Sequence, residues 1–306
     1  MPDRILDFSE EAVRLCVRHS NLVIRRADDS EVSLPLRDVA VVVVSHPAVS
    51  LTHPVLAGLA AAGATFVSCD DTRLPVGMMV PLQGNFVQAE RLAAQVAATR
   101  PTGKRLWQSV VRAKVRAQAA VLVLEHGDDG GLASLADRVR SGDPDNIEAQ
   151  VARAYWPQVF GDPRFERTRT AEDLNRHLNY GYTVLRAMTA RAICAAGLHP
   201  CLGIHHHNRY SQFTLADDLM EPLRPVVDRA VLSIARTWGT DVAVTKETKA
   251  HMFEHLTARF CYRGEQRALF DVLTGISTSL LAVYEGRRKE LDLPTFPMFF
   301  SDGVTE

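Results

Sequence analysis

The sequence predicts an α+β protein: a small β-rich N-terminal domain over residues 1–82 and a larger all-helical domain over residues 83–306. Three observations carry this. β-Branched runs separated by turn-forming clusters crowd the first 80 residues. Apolar residues at three-to-four-residue steps dominate from Gly84 to about residue 290. The chain has 306 residues, 46% of them hydrophobic and 23% charged, enough to bury a sizeable core and to divide into two domains.

Along the chain, "NLVIRR" and "SEVSLPL" flank the turn cluster "ADDS" and predict a hairpin. "DVAVVVVS" lacks alternation, so it reads as a strand buried on both faces. "HPVLAGLAAAG" is a short helix closed by Gly63. "TFVSCD" and "LPVGMMVP" supply two further strands. Beyond Gly84, "NFVQAERLAAQVAAT" and "RLWQSVVRAKVRAQAAVLVLEHG" read as helices, the second with a stripe of Trp107, Val111, Val115, Ala119 and Leu122. "EDLNRHLNYGYTVLRAMTARAICAAG" places Leu174, Leu178, Leu185 and Ala192 on one stripe and stops at Gly197, with Pro200 beyond. Gly181 inside it marks a close approach of another helix. The final "LPTFPMFFSDGVTE" reads as a docked apolar segment with a loose polar end.

No apolar run reaches the roughly 18 residues that span a bilayer, and "MPDRILDFSEEAVRLC" is too acidic and mixed for a signal peptide. The expected location is the cytoplasm, with no membrane partner. Cys16, Cys69, Cys194, Cys201 and Cys261 form no C-x-x-C pair, so they read as small buried hydrophobes rather than a zinc knuckle or disulfide framework. Net charge is −1, which does not announce a nucleic-acid partner. Arginine supplies all but five of the 35 basic residues. That bias fits bidentate phosphate contacts, and it also follows from GC-rich coding.

The polar clusters carry more chemistry. In "SGDPDNIEAQVARAYW", Ser141 or Asp143 can cap a helix whose first turn suits Pro144. Glu148 then shares a face with Ala152 and Tyr155, beside packing surface. In "TLADDLMEPLRP", Thr214 or Asp217 can cap a helix that puts Asp218 and Glu221 on one face. Either carboxylate pattern also suits an ordinary helix start, favoured by the dipole. Just upstream stand His205, His206 and His207. Adjacent side chains diverge, so the residues allow two choices: His206 alone, or His205 paired with His207. One imidazole with several carboxylates is a hard donor set that suits Mg²⁺ or Mn²⁺, whereas the histidine pair suits zinc or nickel. H-E-x-x-H and G-x-x-x-x-G-K-[ST] are absent, which argues against a zinc protease and a P-loop NTPase. An open Mg²⁺ or Mn²⁺ site suits phosphoryl transfer.

"GDPDNIEAQVARAYW", "LNYGYTVLRAMTARAICAAGLHPCLGIHHHN" and "FTLADDLMEPLRPVVD", in that order, resemble the Cas-one family of CRISPR-associated integrases, in the variety that accompanies type II-C systems. The resemblance covers nearly the whole helical domain. It implies a metal-dependent DNA integrase and endonuclease of CRISPR adaptation, with a catalytic helical domain and an N-terminal domain for dimerisation and partner docking. It implies a homodimer, two of which flank a Cas-two dimer in a heterohexamer, with the RNA-guided effector nuclease as a further partner. It also implies the catalytic metal ligands: Glu148, His206 (three residues after Gly203) and Glu221. Some relatives carry aspartate at the last position, so metal distance or denticity here is expected to differ. Asp217 and Asp218 are expected to support the site or hold a second metal.

The implied reaction is transesterification, in which the prespacer 3′-hydroxyl attacks a phosphodiester at the CRISPR repeat boundary. Double-stranded DNA then needs a basic surface. Arg112, Lys114, Arg116, Arg153, Arg164 and Arg167 are candidates, joined by Asn208, Arg209 and Tyr210 beside His206. Two alternatives stand next to this reading: a free-standing metal-dependent nuclease on branched DNA, and a non-catalytic DNA-binding scaffold.

Overall fold

A computed structural model describes residues 4–70, 75–81, 85–168 and 173–295. Strands β1 (Arg4–Phe8), β2 (Val13–Arg18), β3 (Asn21–Arg26), β4 (Glu31–Pro35), β5 (Val39–Val44), β6 (Ser50–Leu51), β7 (Thr65–Cys69) and β8 (Pro75–Met79) fill the N-terminal part, with helix α1 (His53–Ala61) among them. They form two four-stranded sheets, ordered β1-β5-β7-β8 and β4-β3-β2-β6. The expected hairpin is β3–β4, pairing Arg25 with Glu31 around a turn in which Asp29 takes φ 61°.

β5 runs parallel to β1 and to β7 at the middle of its sheet. Its two faces enter different cores. Ala40, Val41 and Val43 join the large helical core, while Val39 and Val42 pack with Leu15, Leu22, Val55 and Leu59 of the smaller sheet and α1. Burial on both sides leaves no position for a polar residue, which is why the run does not alternate.

The remaining chain is chiefly helical: α2 (Gln88–Val96), α3 (Arg100–His126), α4 (Leu132–Arg138), α5 (Ile147–Phe160), α6 (Asn175–Ala195), α7 (Thr214–Met220), α8 (Arg224–Trp238), α9 (Lys246–Thr257) and α10 (Leu269–Tyr284). An antiparallel hairpin, β9 (Arg259–Tyr262) with β10 (Glu265–Ala268), interrupts the helices, a feature the helical reading had not anticipated. α6 is the central element, buried along most of its length. At Gly181 an added Cβ would lie 2.5 Å from a Val227 methyl and 2.9 Å from the Met252 sulfur, so α8 and α9 approach there as only glycine permits. α9 also meets the β1–β2 corner: Lys249, buried, reaches Ser9 and lies 3.6 Å from Asp7. Tyr180 of α6 donates to the same Asp7 at 2.6 Å.

Several local expectations change. Pro144 and Asp143 lie in the turn before α5, not in its first turn, and Asn146 takes the N-cap position in the left-handed region. Asp143 nonetheless satisfies the helix start from a distance, its carboxylate accepting from the Ile147 and Glu148 amides. Neither Thr214 nor Asp217 caps α7. Thr214 donates to the Cys201 carbonyl, and Asp217 pairs with Arg186. The five cysteines are free thiols, of which Cys194 alone is buried. The expected division at 82/83 and the polar end of the C-terminal tail lie outside the described residues. Among the described residues, no helix is long and apolar enough to cross a membrane.

Candidate active site

Four segments bring side chains toward one region, buried at Lys114 and Glu221 and open to solvent at His206. α3 brings Lys114, α5 brings Glu148 at its first turn, the loop after α6 brings His206, and the single 3-10 turn after α7 brings Glu221. Lys114 Nζ lies 2.6 Å from Glu148 Oε1 and 2.6 Å from Glu221 Oε2. Arg224, at the start of α8, reaches the other Glu221 oxygen at 3.1 Å. The Lys114–Glu221 contact is an ion pair at 2.6 Å. Oε2 is buried, and beyond this ion pair it has no hydrogen-bond partner among the described residues. Burial pushes the Glu221 carboxyl up, but Arg224 and Lys114 outweigh it and hold the group below the usual glutamate range. For Lys114 burial works against the charge, and Glu221 with Glu148 overcomes it, raising the ammonium above its ordinary value.

The histidine loop is held by Asp218. Its carboxylate, fully buried, accepts from the Ile204 and His205 backbone amides at 2.6 and 2.8 Å and from the His206 amide at 3.4 Å. His206 Nδ1 sits 2.5 Å from Asp218 Oδ1. This bond raises the His206 pKa against the opposing effect of burial. It also leaves Nε2 as the ring nitrogen free to face outward, the arrangement in which a carboxylate orients a ligating imidazole. Gly203 is required here: a Cβ would come within 2.4 Å of the His206 carbonyl oxygen and 3.0 Å of Asp218. His205 stacks on Trp107, with ring centroids 4.3 Å apart and planes 5° from parallel, while the His206 ring meets the same indole edge-on at 5.4 Å. Partial burial pushes the His205 pKa down. His207 is exposed.

Behind Glu221, Asp228 of α8 accepts from Tyr155 at 3.0 Å and from Tyr182. Burial pushes its carboxyl up to about 6. Tyr182 in turn lies under two guanidinium groups, Arg224 at 4.7 Å and Arg167 at 5.3 Å from the ring centroid.

The structure joins Glu148 and Glu221 through Lys114, and sets His206, held by Asp218, near enough for both glutamates to raise its pKa, while Asp217 is turned to Arg186. It corrects the reading of Lys114 as a surface cation. That side chain is 10% exposed, because it is spent between two glutamates. A signal existed: Trp107, Val111, Lys114 and Gln118 follow one another at steps of four, three and four, so the lysine falls on the buried face of α3. Arg112 bonds the Val139 carbonyl, and Arg116 pairs with Asp137. Arg164 is exposed near Asp162, and Arg167 is tied to Asn175 and Asn179. Arg153, Asn208, Arg209 and Tyr210 are exposed, with Arg209 over the Tyr210 ring.

The donor set fits a hard divalent cation. Two carboxylates already share one positive charge, the buried Glu221 Oε2 has no partner beyond that ammonium, and His206 has its second ring nitrogen unused by Asp218. Among the described residues, as the side chains sit with Lys114 between the glutamates, no three His, Cys, Asp or Glu groups are gathered to hold an ion.

The family profile described as "CRISPR associated protein Cas1" matches residues 8–260. A relative from Neisseria meningitidis serogroup C (strain 8013), named CRISPR-associated endonuclease Cas1, is 34% identical over 285 residues and covers 92% of each chain. Among solved structures, a casposase bound to integration product superposes with a TM-score of 0.81 at 19% identity, covering 99% of this chain and 96% of that one. One chain of a Cas6-RT-Cas1–Cas2 complex superposes with a TM-score of 0.76 at 17% identity, covering 94% of this chain and 35% of that one. At such identities the two structures speak to the fold alone.

Proposed function

The chain belongs to the Cas1 family of CRISPR-associated proteins, and from that premise we propose that it is a metal-dependent DNA integrase and endonuclease acting in CRISPR adaptation. One observation carries the reading: Glu148 and Glu221, brought from separate elements, share a single cation beside a histidine whose ring is oriented by a buried aspartate.

Glu148, Glu221 and Nε2 of His206 would hold Mg²⁺ or Mn²⁺. Such an ion supplies Lewis acidity to a phosphoryl oxygen. The protein's own part is positioning. Asp218 fixes the imidazole and the loop that carries it. Arg224 keeps Glu221 ionised in a buried setting. Arg167 and Arg224, both against the Tyr182 ring, would help to receive a phosphodiester. In the proposed transesterification a 3′-hydroxyl of the incoming DNA forms a bond to phosphorus as the bridging bond of the target strand breaks. One phosphodiester is made for one broken, so no energy-supplying nucleotide is needed.

The proposed partners are double-stranded DNA (prespacer and CRISPR repeat), a second copy of this chain, a Cas2-like dimer and the RNA-guided effector nuclease, in the cytoplasm. The relative's name as an endonuclease and the casposase's integration product support the DNA chemistry, and the Cas1–Cas2 assembly supports the Cas2 partner. The two N-terminal sheets, outside the site, are the proposed surface for dimerisation and docking.

The test is incubation of a supercoiled CRISPR plasmid with labelled prespacer, the protein, its Cas2 partner and Mn²⁺. Joined product is expected, lost by at least about 100-fold in Glu148→Gln. Cleavage without joining would make the protein a nuclease only. Retarded bands without chemistry would make it a scaffold.

A further inference from the structure

Lys114 stands between the two glutamates and a cavity of about 620 Å³ that it lines together with Gln118, Arg153, Trp156, Arg167 and Arg224. Gln118 Oε1 and Arg224 Nε are buried and have no hydrogen-bond partner among the described residues. The cavity lining carries four cationic side chains, Lys114, Arg153, Arg167 and Arg224, against two carboxylates, Glu166 and Asp228, so the cations outnumber the anions. Three guanidinium groups around one space suit a phosphate.

The ammonium and a divalent ion compete for the same oxygens. Lys114 Nζ is 2.6 Å from Glu148 Oε1 and from Glu221 Oε2. A Mg²⁺ or Mn²⁺ bonded to those oxygens at about 2.1 Å would sit within about 5 Å of the ammonium, and two cations that close in a poorly hydrated site repel strongly. The lysine stem is flexible, and the space it can swing into is the cavity it already lines. That move on its own sets an ammonium among guanidiniums. It becomes favourable when an anion is there to receive it.

We propose that Lys114 is a built-in counter-cation whose displacement couples divalent-metal binding at Glu148 and Glu221 to capture of a DNA phosphate in the adjoining cavity. This rests on the reading of the site as a metal centre. Without DNA the ammonium neutralises the two carboxylates, keeps the site assembled and opposes the metal. A phosphate among Arg153, Arg167 and Arg224 takes over the ammonium, and the carboxylates then turn to the divalent ion. The coupling is reciprocal, so the metal tightens DNA binding by the factor by which DNA tightens metal binding.

The test is the Mn²⁺ affinity of the full chain, read from the free-ion electron paramagnetic resonance signal, with and without a short duplex and against a blank of duplex alone. Wild-type protein is expected to bind Mn²⁺ about 10-fold tighter or more when DNA is present. Lys114→Met is expected to bind Mn²⁺ about 10-fold tighter than wild type without DNA, and to gain less than about 2-fold from DNA. Lys114→Arg keeps the charge and is expected to bind Mn²⁺ no tighter than wild type without DNA. Equal wild-type affinities with and without DNA would overturn the proposal, and this arm decides even if Lys114→Met does not fold. So would Lys114→Met binding Mn²⁺ no tighter than wild type. Glu148→Gln separates the two levels. If it leaves Mn²⁺ binding untouched, the metal-centre reading fails; if it removes binding while Lys114→Met changes nothing, the coupling alone fails.

Discussion

Asp218 holds His206 twice, at the ring through Nδ1 at 2.5 Å and at the backbone amide at 3.4 Å, and the same carboxylate gathers the two preceding amides. A side chain buried at 0% exposure thus sets both the path of the loop and the orientation of its imidazole. Asp218→Asn retains the shape but puts an amide donor toward groups that themselves donate. We expect about a 10- to 100-fold loss in Mn²⁺ affinity and in strand transfer, the usual cost of removing an outer partner of a ligating histidine. Calorimetric metal titration of the folded variant checks it, and wild-type affinity would rule out this positioning role.

The three histidines should separate cleanly. His206→Ala should abolish strand transfer in both Mg²⁺ and Mn²⁺. His205→Ala loses a stacked contact with Trp107, worth about 0.5–1.5 kcal/mol, and should lower thermal stability more than activity. His207→Ala, at an exposed position, should be mild in both assays. An active His206→Ala together with an inactive His207→Ala would mean the wrong ring has been assigned.

Asp228 gives a pH signature. Its carboxyl is raised to about 6 by burial, above the 3.8 it has when unfolded. The folded state therefore binds its proton more tightly. The group's stabilising contribution is full below pH 3.8 and is lost as pH rises through about 6, by roughly 3 kcal/mol in all. Asp228→Asn cannot ionise, so its stability relative to wild type should improve between pH 4 and 7, as measured by urea unfolding at each pH. A difference independent of pH would show that the tyrosine pair fully compensates the buried charge.

DNA affinity should fall steeply and log-linearly with salt, since phosphate contacts release counterions. The structure divides the candidate cations. Arg116 is already paired with Asp137, whereas Arg153 lines the cavity beside the glutamates. Arg153→Gln should therefore weaken binding and reduce the salt slope by about one, and Arg116→Gln should do little. Fluorescence anisotropy across a salt series measures both, and equal effects would refute the division.

The fold class was legible in residue order because each local pattern agrees with its burial. "VAVVVV" is β-branched throughout because both faces of β5 meet a core. Gly181 marks a close approach because a Cβ has no room against Val227 and Met252. Gly203 stands three residues before His206 because the loop folds back on itself there. The hairpin of β9 and β10 was hidden inside a mainly helical stretch, since four-residue strands carry too little period to register. Glu148, His206 and Glu221 were singled out by the family resemblance, whereas the spacing of the residues left His206 or the pair of His205 and His207 open. Their common ground was legible in neither, because α5, the loop after α6 and the turn after α7 meet only through packing on α3 and α6. The same packing decided the role of Lys114. A lysine among arginines reads as one more solvated cation until the helix that carries it turns its face inward. Desolvation then holds the ammonium, in the protein alone, between the two carboxylates that neutralise it.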